Sequence, residues 1–428
     1  METIFAQATA PGRAGVAIIR VSGEQAFDIS QNLCKIPTSN RPCVRSLCDS
    51  DDNLIDRALV LRFDKGASFT GEDVIEFHVH GGLATVSKLL SELSFFSNCR
   101  LAEPGEFTRR ALHNGCLDLN QVEALSDLID AETEAQRRQA IKVLDGSFSD
   151  AGVVWRRDLL RAIALLEASI DFSDEEIPDN LYVEVADLVG RVGGSISEVL
   201  SRSEVAFKIR SGFTVAIVGA PNVGKSTLLN NIAGRQAAIT SDVAGTTRDV
   251  LEIRIDLNGL PVTFLDTAGL RETEDKVENL GISMAYARAT EADLRIFLVS
   301  SPDEVLKISA TGDDLVVLNK SDLRDVVGIS VSGKTGDGVP QLLELISNRF
   351  ESRTVEDFVA IRQRQIDGLQ AALASLKETS LLLARSPVPF ELAAQELYFS
   401  LSSLDFVFGK VDIESVLDEI FSSFCLGK

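Results

Sequence analysis

The chain has 428 residues, 45% of them hydrophobic and 25% charged, which suits a folded protein of two or three domains and excludes disordered and fibrous classes. Its 42 basic and 64 acidic side chains give a net charge of -22, which excludes a chain-wide cationic footprint for nucleic acid, so any RNA contact is local. No apolar run approaches the roughly 20 residues that span a bilayer, Met1–Ala6 has no basic leader, and six cysteines show no C-x-x-C or zinc spacing; a reducing cytosol and no membrane partner are expected.

Residues 1–115 mix short β-type runs, Val16–Val21 and Val74–His80, with Gly and Pro punctuation, and predict an α+β domain. This stretch carries 12 basic and 14 acidic residues, so a polyanion can approach here more readily than elsewhere. From 116 to 211 apolar residues recur at spacings of three and four (Leu125, Leu128, Ile129; then Leu159, Leu160, Ile163, Leu165, Leu166), with Trp155 and the stripe after it read as core. Asp174–Asp179 is read as a turn. Residues 212–350 alternate strands and helices, the pattern of a mostly parallel α/β sheet. The helical pattern then resumes through Leu369, Leu373 and Leu376 to the C-terminus. One all-α domain, 116–211 plus 351–428, is thus interrupted by an α/β insert at 212–350.

The strand Phe213–Val218 runs into Gly219–Ser226, a G-x-x-x-x-G-K-S/T loop that opens a helix at Thr227. Its glycines, with Asn222, Val223 and Gly224, let backbone N–H groups wrap phosphates; Lys225 reaches the β- and γ-phosphates and Ser226 ligates Mg²⁺. Ser241, Asp242, Val243, Ala244, Gly245, Thr246 and Thr247 follow as a first switch, with the Thr247 hydroxyl completing the Mg²⁺ shell. Strands at 250–257 and 261–266 join through Asn258–Gly259 as a hairpin and end in Asp266, Thr267, Ala268 and Gly269, where Asp266 holds the metal through water and the Gly269 amide senses the γ-phosphate. After strand 315–318 come Asn319, Lys320, Ser321 and Asp322. A carboxylate at Asp322 accepts two guanine N–H groups and would be unpaired against adenine, which favours GTP by several kcal/mol. Val331–Lys334 follows a short strand and suits the loop that closes over the base, and together these five elements predict a Ras-like GTPase. Leu270 stands where such enzymes carry a water-orienting Gln, so another group must orient water; candidates lie in the acidic stretch 271–278, most of whose charges read as a solvated loop.

The whole chain resembles the MnmE (TrmE) tRNA-modifying GTPases, on the residues Ala8–Gly15 with Ile18–Gly23, Ser68–Asp73, Pro104–Thr108, Leu117–Leu119 and Phe424–Lys428. The resemblance implies a folate-binding N-terminal domain that dimerises, a helical domain, and an inserted G domain. It further implies a heterotetramer-type complex with the flavoprotein MnmG, whose FAD stays on that partner. The implied reaction adds an aminomethyl or carboxymethylaminomethyl group at C5 of the wobble uridine of certain tRNAs, with a tetrahydrofolate one-carbon unit as donor. By position, the resemblance places K⁺ among Asn222, Ser241, Val243 and Thr246, water orientation on Glu278, and folate at Arg20, Glu76, Cys116 and Lys428. Two departures are visible: Ser241 where relatives usually have Thr, and Cys116 where they usually have Lys.

Two other readings compete locally. Glu76, His78 and His80 fall on one strand face, as a metal site could, but with no fourth ligand nearby they are read as satisfied polar residues. Cys425 lies four from the end, yet Gly427 and Lys428 do not suit prenylation. At the level of function, the alternative is a GTPase that acts only as a ribosome-type assembly factor or switch. It would be favoured by a second G domain or an appended basic RNA-binding domain, and neither is visible in the sequence.

Overall fold

The computed structural model describes residues 2–171, 180–220, 222–235, 252–266, 289–301, 304, 312, 314–320, 329–352, 362–410, 421 and 427. Two compact units emerge, Met1–Ser126 with Ser402–Lys428, and Asp127–Leu401.

The first unit is built on a six-stranded sheet of β1 (Thr3–Gln7), β2 (Ala14–Ser22), β3 (Cys43–Cys48), β4 (Leu54–Phe63), β5 (Val74–Gly81) and β6 (Cys99–Leu101), in the order β3-β4-β5-β2-β1-β6. All neighbours are antiparallel except β1 and β6. Strand alternation divides the residues between two faces. Ala17, Ile19 and Val21 of β2 and Ile75, Phe77 and Val79 of β5 form one buried core with helices α1 (Ala26–Gln31) and α2 (Leu83–Ser94). The even-numbered residues, Arg20 opposite Glu76 and Ile18 opposite His78, face the other way. There α3 (Glu106–His113) buries Phe107 with Ile4, Ala6 and Ala102. Helix α4 (Leu119–Ile129) begins in this unit, where Leu119 and Val122 pack with Phe421.

The second unit contains α5 (Glu134–Leu144), α6 (Ser147–Asp171), α7 (Asn180–Ser201) and α8 (Ser203–Ser211). Trp155 is core, 2% exposed, and its Nε1 donates to Ser195 Oγ across to α7; Leu159, Ile163 and Leu166 are buried below it, while Leu160 is exposed. Gly212 links α8 to β7 (Phe213–Val218). Then come α9 (Lys225–Arg235), β8 (Glu252–Leu257), β9 (Leu260–Asp266), β10 (Leu294–Val299), β11 (Leu315–Asn319), β12 (Ser330–Val331) and α10 (Val339–Glu351). Their sheet runs β12-β11-β10-β7-β9-β8, parallel throughout except for the β8–β9 hairpin, as the alternating pattern predicts. Asn258 (φ 52°) and Gly259 (φ 88°) turn that hairpin with the positive φ values that match strand twist.

After the insert, α11 (Gln363–Leu383) and α12 (Phe390–Val407) follow. Pro387 and Pro389 separate these two helices at 384–389, since proline lacks an N–H and disfavours helix in the residue before it. The turn expected at 174–179 lies outside the described residues. Asp127 Oδ1 accepts from Arg210 Nε (3.0 Å) and Arg362 Nη2 (2.8 Å), so one carboxylate ties the chain where it enters the α/β insert and where it leaves. Among the described residues no helix is long and apolar enough to cross a membrane.

Candidate functional site

The carboxyl ends of β7, β9 and β11 carry the predicted phosphate and metal groups to one edge of the sheet, where ligands of open α/β folds bind. The loop after β7 leaves no room for side chains at its glycines. A Cβ at Gly219 would meet the Leu298 carbonyl, and one at Gly224, whose φ is +108°, would meet the Asn319 side chain. Asn222 (φ 59°) takes the left-handed conformation inside the same loop.

Lys225 is 5% exposed and its Nζ donates to the carbonyls of Gly219 (2.8 Å) and Ala220 (3.0 Å), folding back over its own loop. Ser226 Oγ donates to Asp266 Oδ2 at 2.8 Å, so the two groups expected to share a metal already adjoin although 40 residues separate them. This pairing of a hydroxyl with a buried carboxylate fits Mg²⁺, a hard cation that takes oxygen ligands. Asn319, 8% exposed, donates from Nδ2 to the Val223 carbonyl (2.6 Å) and accepts from the Gly333 amide (3.3 Å). It braces the phosphate loop against the loop at 332–336, where a Cβ on Gly333 would sit 2.9 Å from the Leu228 amide. Thr227 is the next residue of α9, and Lys320 has φ 65°. Ser241, Asp242, Val243, Ala244, Gly245, Thr246, Thr247, Thr267, Ala268, Gly269, Glu278, Ser321, Asp322 and Lys428 lie outside the described residues.

Burial pushes the Lys225 ammonium below the ordinary lysine value, with the Asp266 charge pulling the other way. Phosphate anions beside the ammonium would reverse that depression. Nucleotide binding at alkaline pH is therefore expected to take up a proton, and Lys225→Arg, which stays charged, should remove the uptake. Calorimetry in two buffers of different ionisation enthalpy measures it, and proton release would contradict the assignment.

On the first unit, Arg20 donates from Nε to Glu76 Oε1 (2.8 Å), and its guanidinium lies 5.4 Å from the Phe69 ring centroid and 5.6 Å from that of Phe107. Cys116 is exposed and borders the same loop, since a Cβ on Gly71 would sit 2.8 Å from its Sγ. A Cβ on Gly427 would meet the Gln7 carbonyl, which places the penultimate residue against the end of β1. His78 pairs with Glu76 (3.3 Å) and His80 with Asp56 (2.8 Å), so each of the two imidazoles has a carboxylate partner.

The sequence reading missed what holds this region. Arg110, 4% exposed, donates to both Glu72 oxygens (3.2 and 3.0 Å), to Glu106 (3.0 Å) and to the Glu2 carbonyl (2.8 Å). Glu72 also accepts from Ser22 Oγ at 2.8 Å. The only signal was that Glu72 and Glu106 stood inside two separately noted motifs; nothing in their spacing said that one arginine joins them.

A parallel sheet that brings a glycine-rich phosphate loop, its lysine and hydroxyl, and a facing carboxylate to one edge is the architecture of a P-loop GTPase, here set between helices. The comparisons agree. Residues 119–425 match the MnmE helical domain family and residues 3–116 match the family GTP-binding protein TrmE N-terminus. The tRNA modification GTPase MnmE of Roseobacter denitrificans is 52% identical over 429 residues, covering 100% of both chains, and that of Ruegeria sp. is 50% identical with the same coverage. The solved FeoB G-domain from Methanococcus jannaschii aligns with 32% of this chain and 98% of its own at 20% identity and a TM-score of 0.24. The chain belongs to the MnmE family of tRNA modification GTPases.

Proposed function

We propose that this protein hydrolyses GTP to drive modification of tRNA. Together with the flavoprotein MnmG it adds an aminomethyl or carboxymethylaminomethyl group at C5 of the wobble uridine, using a tetrahydrofolate one-carbon unit. The observation that carries the reading is the identity of about half over the full length of relatives named tRNA modification GTPases, which extends through the flanking regions as well as the α/β insert. In this reading 1–115 binds folate and dimerises, 116–211 with 351–428 forms the helical domain, and 212–350 is the G domain, all in the cytoplasm. Lys225 binds phosphate, Ser226 and Asp266 face Mg²⁺, Asn319 braces the loop and Asp322 reads guanine. Glu278 orients the attacking water. Arg20, Glu76, Cys116 and Lys428 meet the folate, for which the paired, part-buried Arg20 and Glu76 offer a donor and an acceptor to a flat polar ring.

Mass spectrometry of tRNA nucleosides from a deletion strain, with and without this chain restored, tests the reading: the C5-modified wobble uridine should vanish and return. An unchanged nucleoside profile would leave the assembly-factor reading in its place. A second expected result follows from Leu270 and from Asn222, whose side chain offers a neutral oxygen in the phosphate loop. GTP turnover should be several-fold or more faster in K⁺ than in Na⁺, because a monovalent ion there offsets charge developing between the β- and γ-phosphates. Equal rates in the two salts would remove K⁺ from the mechanism.

A further inference from the structure

The two halves of the metal-facing pair stand at the carboxyl ends of neighbouring parallel strands: Ser226 follows β7, and Asp266 ends β9. At the opposite ends of the same two strands, one short helix touches both. Ahead of β7, Gln136 and Gln139 of α5, 7% and 6% exposed, donate to the carbonyls of Arg210 (3.0 Å) and Ala206 (2.9 Å) on α8, which leads through Gly212 into the strand. Ahead of β9, the hairpin carbonyl of Gly259 accepts from the Ala135 amide at 3.1 Å, and Arg254 of β8 forms an ion pair with Glu132 at 2.8 Å.

These contacts come from the residues that open α5 and from its first two turns. A helix leaves its first amides without internal partners. Thr133 caps the Gln136 amide through a capping box, so the Ala135 amide, which that box does not serve, is taken by the hairpin. Among the described residues β8 is the edge strand of the sheet and pairs only with β9, so a contact from α5 adds to its hold. From Gly259 to Asp266 the chain runs about 23 Å at the usual rise of a strand, and Val262–Asp266 form a continuous ladder against β7. A slide of β9 relative to β7 therefore changes the Ser226–Asp266 separation at one end and the α5 contacts at the other.

We propose that Glu132 and Arg254 are positioning residues for the cation site: by fixing β8 to the segment that opens α5 they hold the hairpin and so set Asp266 against Ser226, and by the reciprocity of linked equilibria the cation and nucleotide bias α5 in return. The proposal rests on the nucleotide-site reading above. The test titrates Mg²⁺ into the full-length protein with N-methylanthraniloyl-GDP and follows binding by fluorescence, apart from any turnover. Glu132→Ala and Arg254→Ala should each raise the Mg²⁺ concentration for half-maximal effect about three- to tenfold, while affinity for the probe without Mg²⁺ and the unfolding midpoint stay unchanged. The charge-reversed double variant, Glu132→Arg with Arg254→Glu, should restore the wild-type Mg²⁺ dependence. Hydrogen exchange at residues 134–139 should differ between the nucleotide-free and Mg²⁺-loaded wild type, and much less in the single variants. Unchanged Mg²⁺ dependence in both single variants, or failure of the reversal to restore it, would overturn the proposal. A wild-type protein whose probe binding ignores Mg²⁺ would instead overturn the cation assignment beneath it.

Discussion

Arg110→Ala is expected to destabilise the first unit by about 3–5 kcal/mol, the range for removing one partner from a buried ion pair. The guanidinium is almost sealed from water and is shared by Glu72, Glu106 and a main-chain carbonyl, so its loss leaves Glu72 with the Ser22 hydroxyl in place of a cation, Glu106 with Arg100 alone as its cation, and one backbone acceptor without this donor. A lysine there would carry the charge but not the fork that reaches Glu72 and Glu106 together, so Arg110→Lys should recover only part of the loss. Arg137→Ala is the contrast: its pair with Glu134 is about half exposed on both sides, and ion pairs so open to water add little to stability. The same network makes stability depend on acid. Burial would raise Glu106, but donors from Arg100, the Glu103 amide and Arg110 outweigh it and hold the carboxyl below its ordinary value. A carboxylate depressed in the folded state stabilises above its unfolded pKa and loses that contribution as pH falls through the folded one. Urea unfolding of wild type and Arg110→Ala at neutral and at mildly acidic pH measures both effects; a loss under 1 kcal/mol would show that water replaces the guanidinium freely.

The α/β insert was the most legible part of the chain, because its strands are short apolar runs bounded by glycine and its loop residues have one chemical use each. Gly224 illustrates this: the motif asks for a glycine and the structure shows why, with a positive φ and an asparagine where a methyl would lie. The first unit was legible only as α+β. Its sheet order β3-β4-β5-β2-β1-β6 depends on which strands find each other across the chain, and alternation within a strand says nothing about that. The Arg20–Glu76 pair came from family resemblance and not from spacing; 56 residues apart, the two become neighbours only once β2 and β5 are in register. Asp127 was invisible for the same reason, since a single acidic residue on a helix reads as a solvated charge until two arginines from distant segments converge on it.

Gly224→Ala is expected to weaken guanine-nucleotide binding by roughly two orders of magnitude or more, and the cost has two separate sources. At φ +108° an L side chain is strained, which costs on the order of 1–3 kcal/mol. The new methyl also falls on the Asn319 amide, which donates to Val223 and whose oxygen accepts from Gly333. If Asn319 moves, buried backbone groups on two loops lose their partners, at about 1–3 kcal/mol for each group left unsatisfied. Both costs act on the conformation that presents loop amides to phosphate, so they should appear in affinity more than in global stability. Gly234→Ala, on the helix that follows the loop, supplies the control: nothing lies within 4 Å of its Cβ position, and replacing a helical glycine by alanine tends to stabilise. Equilibrium binding of GDP to both variants decides the matter. Wild-type affinity in Gly224→Ala would mean that the loop can rebuild around Asn319, and the bracing role assigned to that side chain would then have to be given up.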